Sequence, residues 1–87
     1  MNIETQMRER LAALQPELID IADDSALHAG HAGAAGGGGH YTLRIVSARF
    51  TGISRVARHR LVYDTLASLM QHRIHALALT TLAPGEV

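Results

Sequence analysis

The chain has 87 residues, 47% of them hydrophobic, and its acidic and basic side chains balance to a formal net charge of zero. That fits one small domain over 1–87 and argues against a generic polyanion binder, whose affinity rests on summed positive charge. With no cysteine, the chain can form no disulfide and offer no thiolate to a metal.

Ile3, Met7, Leu11 and Leu14 recur on one helical face, which predicts a helix over 3–14. Asn2 is its expected N-cap, Glu4 and Arg8 pair on the wet side, and Pro16 stops it. Residues 17–23 alternate as a strand, with Ile19 and Ile21 inward. From Asp24 to Gly39 the chain carries six glycines, four of them consecutive, so no packed element is expected there and a mobile loop is. Asp23 and Asp24, adjacent at the strand end, point apart and cap the start of that loop. Tyr41–Ser47 reads as a second strand with Tyr41, Leu43 and Ile45 inward, antiparallel to the first.

Phe50-Thr51-Gly52 turns the chain, and Ser54 caps a long helix running to about Gln71. Its apolar stripe is expected to hold Val56, His59, Val62, Tyr63, Leu66, Leu69 and Met70, with Arg55, Leu61, Asp64, Thr65 and Ser68 outward. Ala76–Thr81 forms a third strand, parallel to the second because a helix connects them. No apolar run approaches the roughly 18 residues of a membrane span, and Met1-Asn2-Ile3-Glu4 lacks the pattern of a signal peptide. A cytoplasmic protein with no membrane partner is the expectation.

Six histidines draw attention first, because imidazole is the commonest protein metal ligand. His28, His31 and His40 bracket the glycine loop; His72 and His75 lie between the long helix and the third strand. His59, inside the apolar stripe, reads as a hydrogen-bonded structural histidine, and His72 as a helix-end residue. His40 reads as an exposed strand start, and the His-Ala-Gly-His-Ala-Gly repeat as a solvated loop. His75, at the mouth of the third strand, is where a loop histidine can converge. Two imidazoles make half of a four-ligand site, and any thiolates completing it must belong to a partner.

All basic residues are arginine, and Arg44, Arg49, Arg55, Arg58 and Arg60 crowd between positions 44 and 60. Arg58-His59-Arg60 after a glycine turn has two readings: a helix entering a nucleic-acid groove, or a solvated helix start that docks an acidic partner. Against the first, Gly52 stands without a Gly-x-x-Gly clamp, and Tyr41, Phe50 and Tyr63 are the whole aromatic inventory. No catalytic triad spacing or phosphate-binding loop is present, so the chain is not expected to be an enzyme.

Taken in order, several segments resemble the BolA family over nearly the whole chain. They are Asp23-Asp24-Ser25, Phe50-Thr51-Gly52, Arg58-His59-Arg60 followed by Val62-Tyr63 and Leu66, and His75-Ala76-Leu77-Ala78-Leu79. The resemblance implies a single α/β (α+β) domain, α-β-β-α-β with a three-stranded mixed sheet, similar to the class II KH fold. The family's terminal helix looks absent or truncated after Pro84. The resemblance further implies a monothiol glutaredoxin partner and a shared [2Fe–2S] cluster, in iron–sulfur trafficking or iron regulation. The cluster would be held by the glutaredoxin cysteine, a glutathione thiolate, His75 and a loop histidine. His28 is the first choice for the latter, with His31 and His40 as alternatives. Mixed imidazole–thiolate ligation is sound chemistry for such clusters. The isolated chain would carry no cofactor; it would be a monomer alone and a heterodimer with its partner. Arg58, Arg60, Arg55 and Arg49 would help dock that partner. The alternative is a DNA-binding transcriptional regulator using the 54–71 helix and the same arginines.

Overall fold

A computed structural model describes residues 2–25 and 39–86. The expected glycine loop therefore lies almost wholly outside the described residues, and His28 and His31 with it. The elements are α1 (Ile3–Leu11), β1 (Leu18–Asp23), β2 (Gly39–Val46), α2 (Arg55–Thr65), α3 (Ala67–Met70) and β3 (Ile74–Leu82).

Local chemistry sets the boundaries. Asn2 Oδ1 accepts the Thr5 N–H at 2.8 Å and starts α1, and Arg8 pairs with Glu4 at 3.7 Å. The helix tightens into a 3₁₀ turn over Ala12–Leu14, and Gln15 then takes a left-handed conformation at φ 50°. Pro16 explains that ending, since the residue before a proline avoids right-handed helical angles. Ser54 Oγ accepts the Ala57 N–H at 3.1 Å and starts α2 as expected.

The sheet order is β1-β2-β3, with β1 antiparallel and β3 parallel to the central β2. Registers such as Ile19↔Ile45, Ile21↔Leu43 and Leu43↔Leu79 turn one face toward the helices. Leu43, Ile45, Phe50, Met7, Leu11, Val62 and Leu66 are fully buried there as one core. Burying such side chains supplies the main stabilisation of a domain this size, about 1.5–3 kcal/mol for each large one. At the far end of β2, Ser47 is fully buried; its hydroxyl donates to the Leu14 carbonyl at 2.6 Å and accepts the Arg49 N–H at 3.1 Å. That one oxygen ties the end of α1's extension to the turn that leads into α2.

Helix α2 departs from expectation twice. It breaks at Leu66 (φ −99°, ψ 10°), so the long helix is two, α2 and the short α3. The Thr65 hydroxyl donates back to the Leu61 carbonyl at 2.7 Å, a bond that competes with the helical ladder and bends helices. The buried arc is also rotated from the expected one. Val56 is 69% and Tyr63 38% exposed, although periodicity places both inward, whereas Leu61, placed outward by periodicity, packs against the core. Arg58 lies on the rotated helix's inward side, its side chain reaching the Thr81 carbonyl near the end of β3. His59 is half-buried, but its Nε2 is shielded from solvent without a hydrogen-bond partner among the described residues. The expectation of a hydrogen-bonded His59 therefore fails at that atom.

Both outer strands have carbonyls covered by side chains of the helices. Arg8 Nη1 donates to the Ile19 carbonyl on β1 at 3.2 Å. On β3, the Tyr63 hydroxyl donates to the Leu77 carbonyl at 3.1 Å and Arg58 Nη1 to the Thr81 carbonyl at 3.2 Å.

Ser47→Ala removes a buried donor and strands the Leu14 carbonyl. Urea unfolding should show a loss of about 1–3 kcal/mol with an unchanged slope.

Candidate functional site

The start of β2 and the start of β3 lie side by side, and the register there is irregular. Gly39 pairs with Ile74 but His40 pairs with Ala76, so His75 is the extra residue between two regular pairs. A bulge re-aims the side chain it carries. Here the ring of His75 meets that of His40, with centroids 5.1 Å apart and planes inclined at 46°. His75 is exposed, while His40, expected to be an exposed strand start, is half-buried beside it. Two imidazoles on one tetrahedral centre, at metal–nitrogen bonds of about 2.0–2.1 Å, have centroids about 5 Å apart. The centroid spacing matches that of two ligands on one metal, and His40 Nε2 is shielded from solvent.

The backbone around His40 is closely held. Asp24 N–H donates to the His40 carbonyl at 2.7 Å, and His40 N–H donates to Ser25 Oγ at 3.0 Å. Asp23 Oδ1 accepts the Ser25 N–H at 2.9 Å, and Asp24 Oδ2 accepts from the Thr42 hydroxyl at 2.5 Å. The two carboxylates point apart and brace the base of the loop, as their adjacency on the strand end predicts. The Ser25 hydroxyl and then the Ser25 N–H hold the Asp23 carboxyl below its ordinary range. Beneath His40, the Tyr41 ring packs on Gly39, where a Cβ would meet the ring at 2.5 Å. Burial, then the charge of Asp23, pushes the Tyr41 phenol up.

The arginines lie elsewhere. Arg58 grips the Glu86 carboxylate with Nη1 and Nη2 at 2.5 and 2.9 Å, and its Nε donates to the Ile53 carbonyl at 3.0 Å. Together with its bond to Thr81, this engages all three guanidinium nitrogens in holding the chain after β3 against the start of α2. Thr81 is six positions along β3 from His75, about 20 Å at a strand's rise. Arg49, Arg55 and Arg60 are exposed and form no ion pair among the described residues. The structure therefore brings His40 and His75 together, leaves three arginines accessible, and separates the two groups along the sheet.

The BolA-like protein family model matches residues 11–86. The chain belongs to the BolA family. It is 40% identical over 87 residues to the DNA-binding transcriptional regulator BolA of Escherichia coli K12, covering 99% of this chain and 80% of that one. It is 42% identical over 88 residues to the SufE-like protein 1 of Arabidopsis thaliana, covering 94% of this chain but only 24% of that protein's length. Among solved structures, BolA1 from Arabidopsis thaliana superposes with a TM-score of 0.85 at 35% identity, covering 100% of this chain and 98% of that one. The small α+β domain with its three-stranded mixed sheet is the architecture of those BolA structures.

Sequence reasoning passed over two features of the site. The bulge that turns His75 toward His40 leaves no residue signature beyond a glycine, Gly39, beside the irregularity. The Ser25 clasp was readable in part, since Asp-Asp-Ser is a sequence whose side chains bond their own backbone.

The Arg58 hydrogen bonds, then the Ala83 N–H, hold the Glu86 carboxyl down at about 2, from an ordinary 4.5. A depressed carboxyl contributes stability above its unfolded value, and that contribution is lost as the pH falls toward the folded value. Wild type should therefore be more stable than Glu86→Gln at pH 6. The gap between their urea midpoints should close steadily from about pH 4.5 to about pH 2.

Proposed function

We propose that this chain is a partner of a monothiol glutaredoxin and gives two imidazole ligands to a [2Fe–2S] cluster shared with it, in iron–sulfur trafficking or iron regulation. The observation that carries the reading is the His40–His75 pair, its rings at the spacing of two ligands on one centre and His75 exposed. The pair is half of a ligand set. Among the described residues no third histidine or carboxylate joins it, and the chain has no cysteine, so sulfur ligands would come from the glutaredoxin and from glutathione. The cluster would supply one-electron and sulfide chemistry. The role of this chain's own residues is to present neutral nitrogen donors, which raise a cluster's reduction potential relative to thiolates. His75 is the first ligand. His40 is favoured as the second by its proximity, with His28 and His31, outside the described residues, as the alternatives.

Mixing the protein with a monothiol glutaredoxin, glutathione, iron and sulfide should give a heteromeric species with its own visible circular dichroism. His75→Ala should abolish that spectrum, and His40→Ala should alter it more than His28→Ala or His31→Ala does. An unchanged spectrum in His75→Ala would overturn the reading.

A second reading has its own support. The exposed Arg49, Arg55 and Arg60 lie around the start of α2, and the Escherichia coli relative is named a DNA-binding transcriptional regulator. On this reading the accessible arginines bind phosphate, whereas Arg58, held by Glu86, does not. Arg55→Ala/Arg60→Ala should weaken duplex binding in a gel shift. The slope of log affinity against log salt should become shallower by about 0.9 for each phosphate that is no longer neutralised. Binding with no salt dependence would remove this reading.

A further inference from the structure

The histidine pair rests on a backbone contact that neither ring makes. Where β1 and β2 part, Asp24 and His40 face each other as a hydrogen-bonded antiparallel pair, which ordinarily exchanges two backbone bonds. One is present, from Asp24 N–H to the His40 carbonyl at 2.7 Å. The return donor, His40 N–H, goes instead to the side-chain oxygen of Ser25 at 3.0 Å. Ser25 is itself fixed, because its N–H is bound by Asp23 Oδ1. One residue back, Asp24 grips Thr42. On the other side of the strand, Gly39 N–H donates to the Arg73 carbonyl at 3.0 Å, immediately before β3 begins. The main chain at His40 is thus gripped from both neighbours, and its ring position is set against His75.

Building on the histidine-pair reading, we propose that Ser25 is the positioning residue of the His40–His75 pair: its hydroxyl holds the His40 backbone and so keeps the two imidazoles at ligand spacing. Ser25 supplies no ligand; it acts through the His40 backbone N–H. Removing its oxygen leaves a half-buried N–H without that acceptor and frees the first residue of β2. Partners one step removed from a metal-binding histidine commonly change metal retention by about 10–100-fold when removed.

The variants are Ser25→Ala, which deletes the acceptor, and Ser25→Thr, which keeps it. In the isolated protein, nuclear Overhauser effects between the His40 and His75 ring protons report the spacing without any cluster. Wild type and Ser25→Thr should show them, and Ser25→Ala should lose most of their intensity while amide shifts in the core stay in place. If Ser25→Ala disturbs the core amides, Thr42→Val, which loosens Asp24 alone, becomes the deciding variant, with a weaker effect in the same direction. In the glutaredoxin complex, the Ser25→Ala cluster should be lost to a chelator about tenfold faster than wild type. Ser25→Thr should stay near wild type. Inter-ring effects that persist in Ser25→Ala, or vanish equally in Ser25→Thr, overturn the proposal. Failure of wild type to form any heteromeric cluster sinks the shared-cluster reading instead, and the ring measurements still decide the role of Ser25.

Discussion

The fold depends on β2, the strand with hydrogen-bonded neighbours on both sides. Its inward side chains Tyr41, Leu43 and Ile45 supply the floor of the core, and side-chain hydrogen bonds fix both of its ends. At one end, the Ser47 hydroxyl joins the extension of α1 to the turn before α2. At the other, Ser25 and Asp24 join β1 to the first residues of β2. A strand fixed at both ends cannot slide in register, and a one-residue slip would turn every buried side chain toward solvent. The end held by Ser25 and Asp24 carries His40, which the register irregularity with β3 sets beside His75.

The family resemblance and the alternation patterns made the architecture legible. The strand faces, the N-caps at Asn2 and Ser54 and the order of elements all follow from period and capping chemistry. What was not legible depended on long-range contacts. Periodicity alone centred the α2 stripe on His59 and counted Val56 inside. The structure instead turns Arg58, bound to Glu86 and two carbonyls, inward and leaves Val56 and Tyr63 exposed. The kink at Leu66 likewise needed the Thr65 hydroxyl, which a hydrophobicity pattern does not weigh. At the site, His75 was readable as a strand-mouth histidine. The nearness of His40 was not, because it comes from a register irregularity that only the paired strands reveal.

Net neutrality hides an unequal use of charge. Arg8, Arg44 and Arg58 are engaged in ion pairs within the domain, while Arg49, Arg55 and Arg60 stay accessible near the start of α2. The sequence groups Arg58 with Arg60 as one motif, yet the structure gives them opposite duties: one ties down the segment after β3, and the other faces solvent. A histidine pair at one end of β3 and accessible arginines at the other give the domain two chemically distinct surfaces on a single small frame.

The capped carbonyls on the outer strands have a consequence for the molecule in crowded solution. Growth of a fibril by strand addition requires an uninterrupted ladder of available acceptors along a sheet's rim. On β1 that ladder is broken at Ile19, and on β3 at Leu77 and Thr81, each by a side chain that an incoming strand would first have to evict. Among the described residues, the three-stranded sheet thus has both of its rims interrupted by side-chain donors.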